Sequence, residues 1–192
     1  MRSMRRAAAA GFAVLAATAI AIKVEGGGSA APAVRDPGAV ASPAIPAGSF
    51  TARIDRVVDG DTFIAQINGQ GAKLRVRIIG ADTPETVKPD TPVRCYGPQA
   101  SAFAKHLLPA GIVVRAAYES GGQTDRFGRQ LWDVWLPDGR FLESVLVASG
   151  AARAYPFAPQ LEHAPLLAQL QSQAQQSGAG LWGNPCNGNS FS

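Results

Sequence analysis

The sequence predicts an α+β protein, mainly β, in which five short strands close into a Greek-key barrel with about three helices packed on it. Three observations carry this expectation. From Phe50 onward, short β-branched runs are separated by Gly, Asp and Asn punctuation. The runs come in the order three strands, helix, two strands, helix, helix. No internal repeat interrupts that order.

The first strand is expected over Phe50 to Val58, the second over Thr62 to Ile67 and the third over Lys73 to Ile79. Asp59-Gly60 marks a sharp bend before the second strand, and Asn68-Gly69 a hairpin before the third, so the three form a meander. Within Leu74-Arg-Val-Arg-Ile78 the alternation sends Leu74, Val76 and Ile78 to one face and Arg75 and Arg77 to the other. After an irregular stretch from Thr83 to Tyr96, Pro98 opens a helix that reaches Leu108, at a position where its missing N–H costs nothing. Ile112 to Tyr118 and Gln130 to Leu136 supply the last two strands. Pro137-Asp-Gly139 turns the chain into a short helix from Phe141 to Ser149, striped by Leu142, Val145 and Leu146 and ended by Gly150. The final helix is expected from Gln160 to Gln176, with Leu166, Leu167 and Leu170 inward. Trp132, Trp135 and Trp182 read as core or rim residues, and His106 and His163 as surface or capping residues rather than catalysts.

A chain of 192 residues has room for one domain with a real core, and the sequence divides into three segments. Residues 1–22 pair a basic start (Arg2, Arg5, Arg6) with an uncharged run from Ala7 to Ile22, the outline of an export signal. Ala17-Thr-Ala19 and Ala19-Ile-Ala21 are small-residue cleavage candidates; a cleaved signal and a retained membrane anchor are both open readings. The expected location is secreted or periplasmic, or membrane-anchored if the segment stays. Residues 23–48, rich in Gly, Ala and Pro, have too few large apolar groups to order themselves and read as a flexible linker before a domain over 49–192. Net charge is +4, but residues 1–48 hold 5 of the 18 bases and 2 of the 14 acids, leaving 13 bases against 12 acids. A broad basic surface that grips nucleic acid by bulk charge is therefore not indicated, and any phosphate recognition must be local. The two cysteines, Cys95 and Cys186, suit an oxidising compartment and lack metal-ligand spacing. Joined, they would close a loop of about 91 residues, worth roughly 4 kcal/mol on the chain-entropy model; two unpaired thiols are the alternative.

Four groups of residues stand out chemically. Asp59-Gly-Asp61-Thr62 opens the second strand and Asp82-Thr-Pro-Glu85 follows the third, so carboxylates should converge at one end of the meander. Such repulsion is relieved by a cation, and an all-oxygen set selects a hard ion such as Ca²⁺ over zinc. For a lone Asp-Gly, turn shaping would be the better explanation; the second acidic group weakens it here. Arg77, five residues ahead of Asp82, and Thr124-Asp-Arg-Phe-Gly-Arg129, a polar loop entering the fifth strand, add guanidinium groups. Planar guanidinium matches the oxygens of a phosphodiester in transfer, and with a divalent ion it forms a charge clamp.

Val58-Asp-Gly-Asp-Thr62, Arg77 to Asp82-Thr-Pro-Glu85-Thr86, Tyr96-Gly-Pro98 and Thr124-Asp-Arg-Phe-Gly-Arg129 together resemble the signature set of the staphylococcal nuclease (thermonuclease) family, over about Phe50 to Trp182. The resemblance implies an OB-fold barrel and a Ca²⁺-dependent endonuclease that cuts DNA and RNA to 3′-phosphate and 5′-hydroxyl ends. It implies metal-binding roles for Asp61 and Asp82 and for the backbone carbonyl of Thr83. By the same similarity Arg77 and Arg129 bind the scissile phosphate, and Glu85 activates or orients the attacking water. Tyr155 lines the nucleotide pocket, and Arg126 joins it as a substrate contact. Single replacement of Arg77, Glu85 or Arg129 is expected to lower turnover by orders of magnitude with folding nearly intact. No obligatory protein partner is implied, and the chain is read as a monomer.

The chain also departs from the family pattern. Phe127 and Phe157 stand where the family often has tyrosines, and the loop from Thr86 to Val93 has a single lysine, Lys88, so a weaker grip on polymer is expected. Cys95 and Cys186 are extra relative to the staphylococcal enzyme; a bridge between them would tie the loop beside the site to the C-terminal tail. A binding module that kept the barrel and lost catalysis is the rival reading. Its mark would be a missing acid or arginine, and none is missing.

Overall fold

In the computed structural model the described residues are 32–86, 92–118, 124–155 and 161–191. The expected helix start at Gln160, Phe157, Lys88 and the leader lie outside them. The described chain runs β1 (Phe50–Asp59), β2 (Thr62–Ile67), β3 (Lys73–Ile78), β4 (Ala81–Asp82), α1 (Gly97–Leu107), β5 (Val113–Ala117), β6 (Gln130–Trp135), α2 (Leu142–Ala148), β7 (Arg153–Ala154) and α3 (Ala164–Ser177). A 3-10 turn over Gly180–Trp182 follows.

Five strands close a barrel in the order β1-β2-β3-β6-β5, and β4 and β7 form a separate two-stranded ribbon. Every barrel pairing is antiparallel except β3 with β6. Closure depends on β1, which pairs with β2 on one side and with β5 on the other. Two register shifts, between Ile54 and Arg56 and between Val57 and Asp59, bend this long strand as bulges do. The interior is packed by Ala52, Ile54, Phe63, Ala65, Val76, Ile78, Val114, Ala116, Trp132 and Val134, all at most 1% exposed. Alanines sharing one interior with a phenylalanine and a tryptophan give the mix of small and large side chains that a narrow barrel needs. Each fully buried large side chain contributes about 1.5–3 kcal/mol. Trp132 stands edge-on to Phe50, Phe63 and Tyr118, and Trp135 is also in the core, whereas Trp182 is half-buried against the tail.

The helices cover the barrel and fix the loops that carry the polar residues. α1 begins at Gly97, with Pro98 in its first turn as the sequence indicates, behind Tyr96 in left-handed conformation. α2 packs on α3, whose first turn contains Pro165 and whose end is Gly178. His163 lies at the start of α3, with its ring edge-on to Trp135 and Phe141, and His106 is exposed on α1.

The stretch from residue 32 to 48 differs from the linker expectation. Val34 and Val40 pack against the core, Trp135 Nε1 donates to the Pro43 carbonyl at 3.0 Å, and Arg140 Nη1 meets Asp36 Oδ1 at 2.7 Å. Composition counts only what a segment brings, whereas this one is held by apolar surface and hydrogen-bond partners that the domain supplies. Cys95 and Cys186 are joined by a disulfide, which fastens the start of α1 to the C-terminal tail.

Candidate active site

The bend between β1 and β2 is tight because Gly60 lies against Thr83. A Cβ at Gly60 would stand 2.6 Å from Thr83 Oγ1, so only glycine lets the two acidic segments touch. That contact positions Asp61. Its Oδ2 accepts the Thr83 N–H at 2.9 Å and the Thr83 hydroxyl at 3.0 Å, and its Oδ1 accepts the Thr62 hydroxyl at 2.9 Å. Thr62 pairs with Arg77 across β2 and β3, which carries the arginine to the same end of the barrel.

Arg77 sits between the two acids. Its Nη2 is 3.2 Å from Asp61 Oδ2 and 2.9 Å from Asp82 Oδ1, while Nη1 donates to the carbonyls of Ile78 and Ala81 at 2.7 and 2.6 Å. Arg77 is 3% exposed and Arg75 is exposed, although alternation puts both on one side and both line the same cleft. Gly80, in left-handed conformation at φ 77°, turns the chain from β3 into β4 and so brings Asp82 back toward Arg77.

The cleft at this end has a volume of about 700 Å³. Asp59, Asp61, Asp82, Thr83, Glu85, Arg77, Arg126, Arg129 and Tyr155 all line it, so every sequence-derived candidate for catalysis, metal binding or substrate contact faces one space. Arg129 comes from the turn before β6. Asp125 holds it there, accepting the Arg129 backbone N–H at 3.0 Å on Oδ1 and Nε at 2.7 Å on Oδ2. Phe127 is exposed at the tip of that turn, with Arg126 at 4.8 Å and Arg129 at 5.6 Å from its ring centre.

The acids strain against one another. Burial raises the Asp59 carboxyl above its ordinary value, and the neighbouring Asp61 and Glu85 push the same way against hydrogen bonds from Thr86 and Gly60. Burial also raises Asp82, with Asp61 adding to it, against the pull of Arg77 and Arg153. Asp125 goes the other way. Its hydrogen bonds from Arg129 and Phe127 overcome the effect of burial and hold it low. Crowded, partly desolvated carboxylates with only oxygen donors fit a hard cation, which would relieve that repulsion. Asp61 and Asp82 with the Thr83 carbonyl are the donor set that the family resemblance implies, and all three residues line the cleft. Among the described residues no group of three or more His, Cys, Asp or Glu side chains is disposed to hold a metal.

A family model described as staphylococcal nuclease homologue matches residues 75–184. This chain belongs to that family. It is 42% identical over 134 residues to a thermonuclease of Staphylococcus hyicus, covering 70% of this chain and 76% of that protein. To a thermonuclease of Staphylococcus intermedius it is 43% identical over 129 residues, covering 67% and 74%. An uncharacterized endonuclease of Escherichia coli O157:H7 is 36% identical over 130 residues, covering 68% and 75%. The closed five-stranded barrel with three helices is the OB-fold-like architecture expected of this family.

Four participants escaped the sequence reading. Arg153 reaches Asp82 Oδ2 with Nε at 3.0 Å and Nη2 at 2.8 Å. Nothing in Ala151-Ala-Arg-Ala-Tyr155 marks it, because its partner is set by the pairing of two-residue strands. Ser190 and Phe191 of the tail line the cleft. Asp125 could have been found, since it stands four residues before Arg129 inside the motif already singled out.

Proposed function

We propose that this protein is a calcium-dependent nuclease that hydrolyses phosphodiester bonds of DNA and RNA and leaves 3′-phosphate and 5′-hydroxyl ends. The observation that carries the reading is the meeting of Asp61 and Asp82 around Arg77 in one cleft with Arg129 and Glu85. Similarity to thermonucleases and endonucleases supports it. Asp61, Asp82 and the Thr83 carbonyl would hold calcium, which when bound supplies Lewis-acid polarisation of a phosphoryl oxygen.

The remaining steps belong to the protein's own side chains. Glu85 is half-buried at the mouth of the site, anchored through Oε1 to the Thr86 N–H at 2.9 Å. From there it takes a proton from the attacking water or orients that water by accepting its hydrogen bond. Arg77 and Arg129 donate to the phosphoryl oxygens as charge gathers on them, and Asp125 keeps Arg129 extended toward the cleft before substrate arrives. Tyr155 and Arg126 contact the nucleotide along the same cleft. The Cys95–Cys186 bridge supports an oxidising compartment, and we assign the protein to the secreted or periplasmic space.

The test is digestion of supercoiled plasmid and ribosomal RNA by the purified protein, with calcium and with a calcium chelator. Both substrates should be cut with calcium and spared with chelator. The new 5′ ends should accept phosphate from a kinase directly, and the 3′ ends should resist polymerase extension until dephosphorylated. Fragments with 5′-phosphate ends would contradict the proposed bond cleavage.

A further inference from the structure

The C-terminal tail builds one wall of the cleft, yet the proposed mechanism gives it no part. Its last described residues are pinned from below. Cys186 is bridged to Cys95 and packs with Tyr96 and Leu181, and Phe191 rests on the same cluster. Ser190 is fully buried, and its Oγ has no hydrogen-bond partner among the described residues. The tail is therefore held by the bridge, by packing and by a few backbone hydrogen bonds such as Gly188 N–H to the Leu181 carbonyl at 2.8 Å.

What this wall touches is Arg153. The guanidinium carbon lies 3.8 Å from the Phe191 ring centre and 5.0 Å from that of Tyr155. Asp82 and Arg153 are register partners across β4 and β7, and both Nε and Nη2 of Arg153 reach Asp82 Oδ2 while Arg77 takes Oδ1. A side chain one-third exposed would ordinarily sample several rotamers; two aromatic rings against its guanidinium restrict it.

We infer that Arg153, held by Phe191 of the disulfide-anchored tail, is a positioning residue that fixes Asp82 and sets how tightly that carboxylate takes up a divalent cation. The inference rests on the calcium reading above. Arg153 brings a positive charge onto the carboxylate a cation must share, so like-charge repulsion weakens cation binding while the Nε hydrogen bond and the Nη2 ion-pair contact keep Asp82 oriented. Anything that frees Arg153 should therefore tighten calcium and slow turnover together. General damage to the site would loosen calcium instead.

The experiment is calorimetric titration of the full chain with calcium, alongside kcat and KM on DNA, below the melting temperature of every species. The species are wild type and Arg153→Ala, each with the bridge intact and after reduction and alkylation, together with Arg153→Lys and Phe191→Ala. Arg153→Ala should bind calcium about tenfold more tightly and lose roughly tenfold in kcat at nearly unchanged KM. Arg153→Lys keeps the charge and should keep the wild-type Kd, yet lose kcat because an ammonium cannot reproduce the planar Nε and Nη2 contact or its stacking on Phe191. Phe191→Ala and bridge reduction should each tighten calcium by about threefold, and reduction should add nothing in the Arg153→Ala background. Unchanged or weaker calcium binding by Arg153→Ala overturns the inference, as does an equal effect of reduction in both backgrounds. A wild type that gives no calcium isotherm and cuts DNA in chelator would instead sink the calcium reading itself.

Discussion

Arg77 makes at least four polar contacts and is 3% exposed, so it is a structural knot as well as the phosphate ligand proposed above. Arg77→Ala should therefore cost about 3–5 kcal/mol of stability, because it leaves the buried Asp61 without its guanidinium partner and Asp82 with Arg153 alone. The burial of Arg77 speaks against the expectation that folding would survive its loss nearly intact, and urea denaturation of the variant decides between the two. Arg129 differs. It is held by Asp125 on a turn rather than buried among carbonyls, so Arg129→Ala should lower kcat by about 10²–10³ with only a small change in melting temperature. Wild-type turnover by that variant would remove Arg129 from the mechanism. The charged residues of the site were legible because carboxylates and arginines in short motifs have few structural uses together. Arg153 was not, since its meaning depends on a partner 71 residues away that no local pattern announces.

Strands long enough to alternate were legible within a residue or two, and so were the helices opened by Pro98 and closed by Gly150, whereas the last helix, expected from Gln160, starts at Ala164. The β4–β7 ribbon was not, because two-residue strands carry no periodicity. At the β1–β2 bend, Gly60→Ala would drive a methyl group into Thr83 and separate it from Asp61. The expected cost is about 1–3 kcal/mol together with a loss of turnover, measurable by thermal melts and initial rates. On α2, Glu143 is wholly buried and accepts the Val134 N–H at 3.2 Å. Burial, and then the Asp133 charge, push its carboxyl well above the usual 4.5. A carboxyl raised in the folded state contributes stability that is full below its unfolded value and lost as pH rises through the folded one. Glu143→Gln should accordingly gain melting temperature over wild type as pH increases above 4.5, and no gain at any pH would show that the burial is not felt as a charge penalty.

For the whole molecule, the barrel fixes one end of three strands, and that end gathers acids from the β1–β2 bend and β4 with arginines from β3 and the β6 turn. The bridge then ties the tail to the start of α1 across 91 residues, and its reduction should cost about 2–5 kcal/mol by denaturant titration. The tail's share in the site was hidden from the sequence, because pairing two cysteines says nothing of where Phe191 comes to rest. The central claim is that Asp61 and Asp82 hold a hard cation against the bond being broken. It is tested most directly by the initial rate of DNA cleavage as calcium is added back to chelator-stripped wild type and Asp61→Asn. The rate should rise from zero to saturation in the wild type, and the variant should need far more calcium to reach half of its own much lower maximum. Cleavage at full rate before any calcium is added, or identical calcium curves for the two proteins, would contradict it.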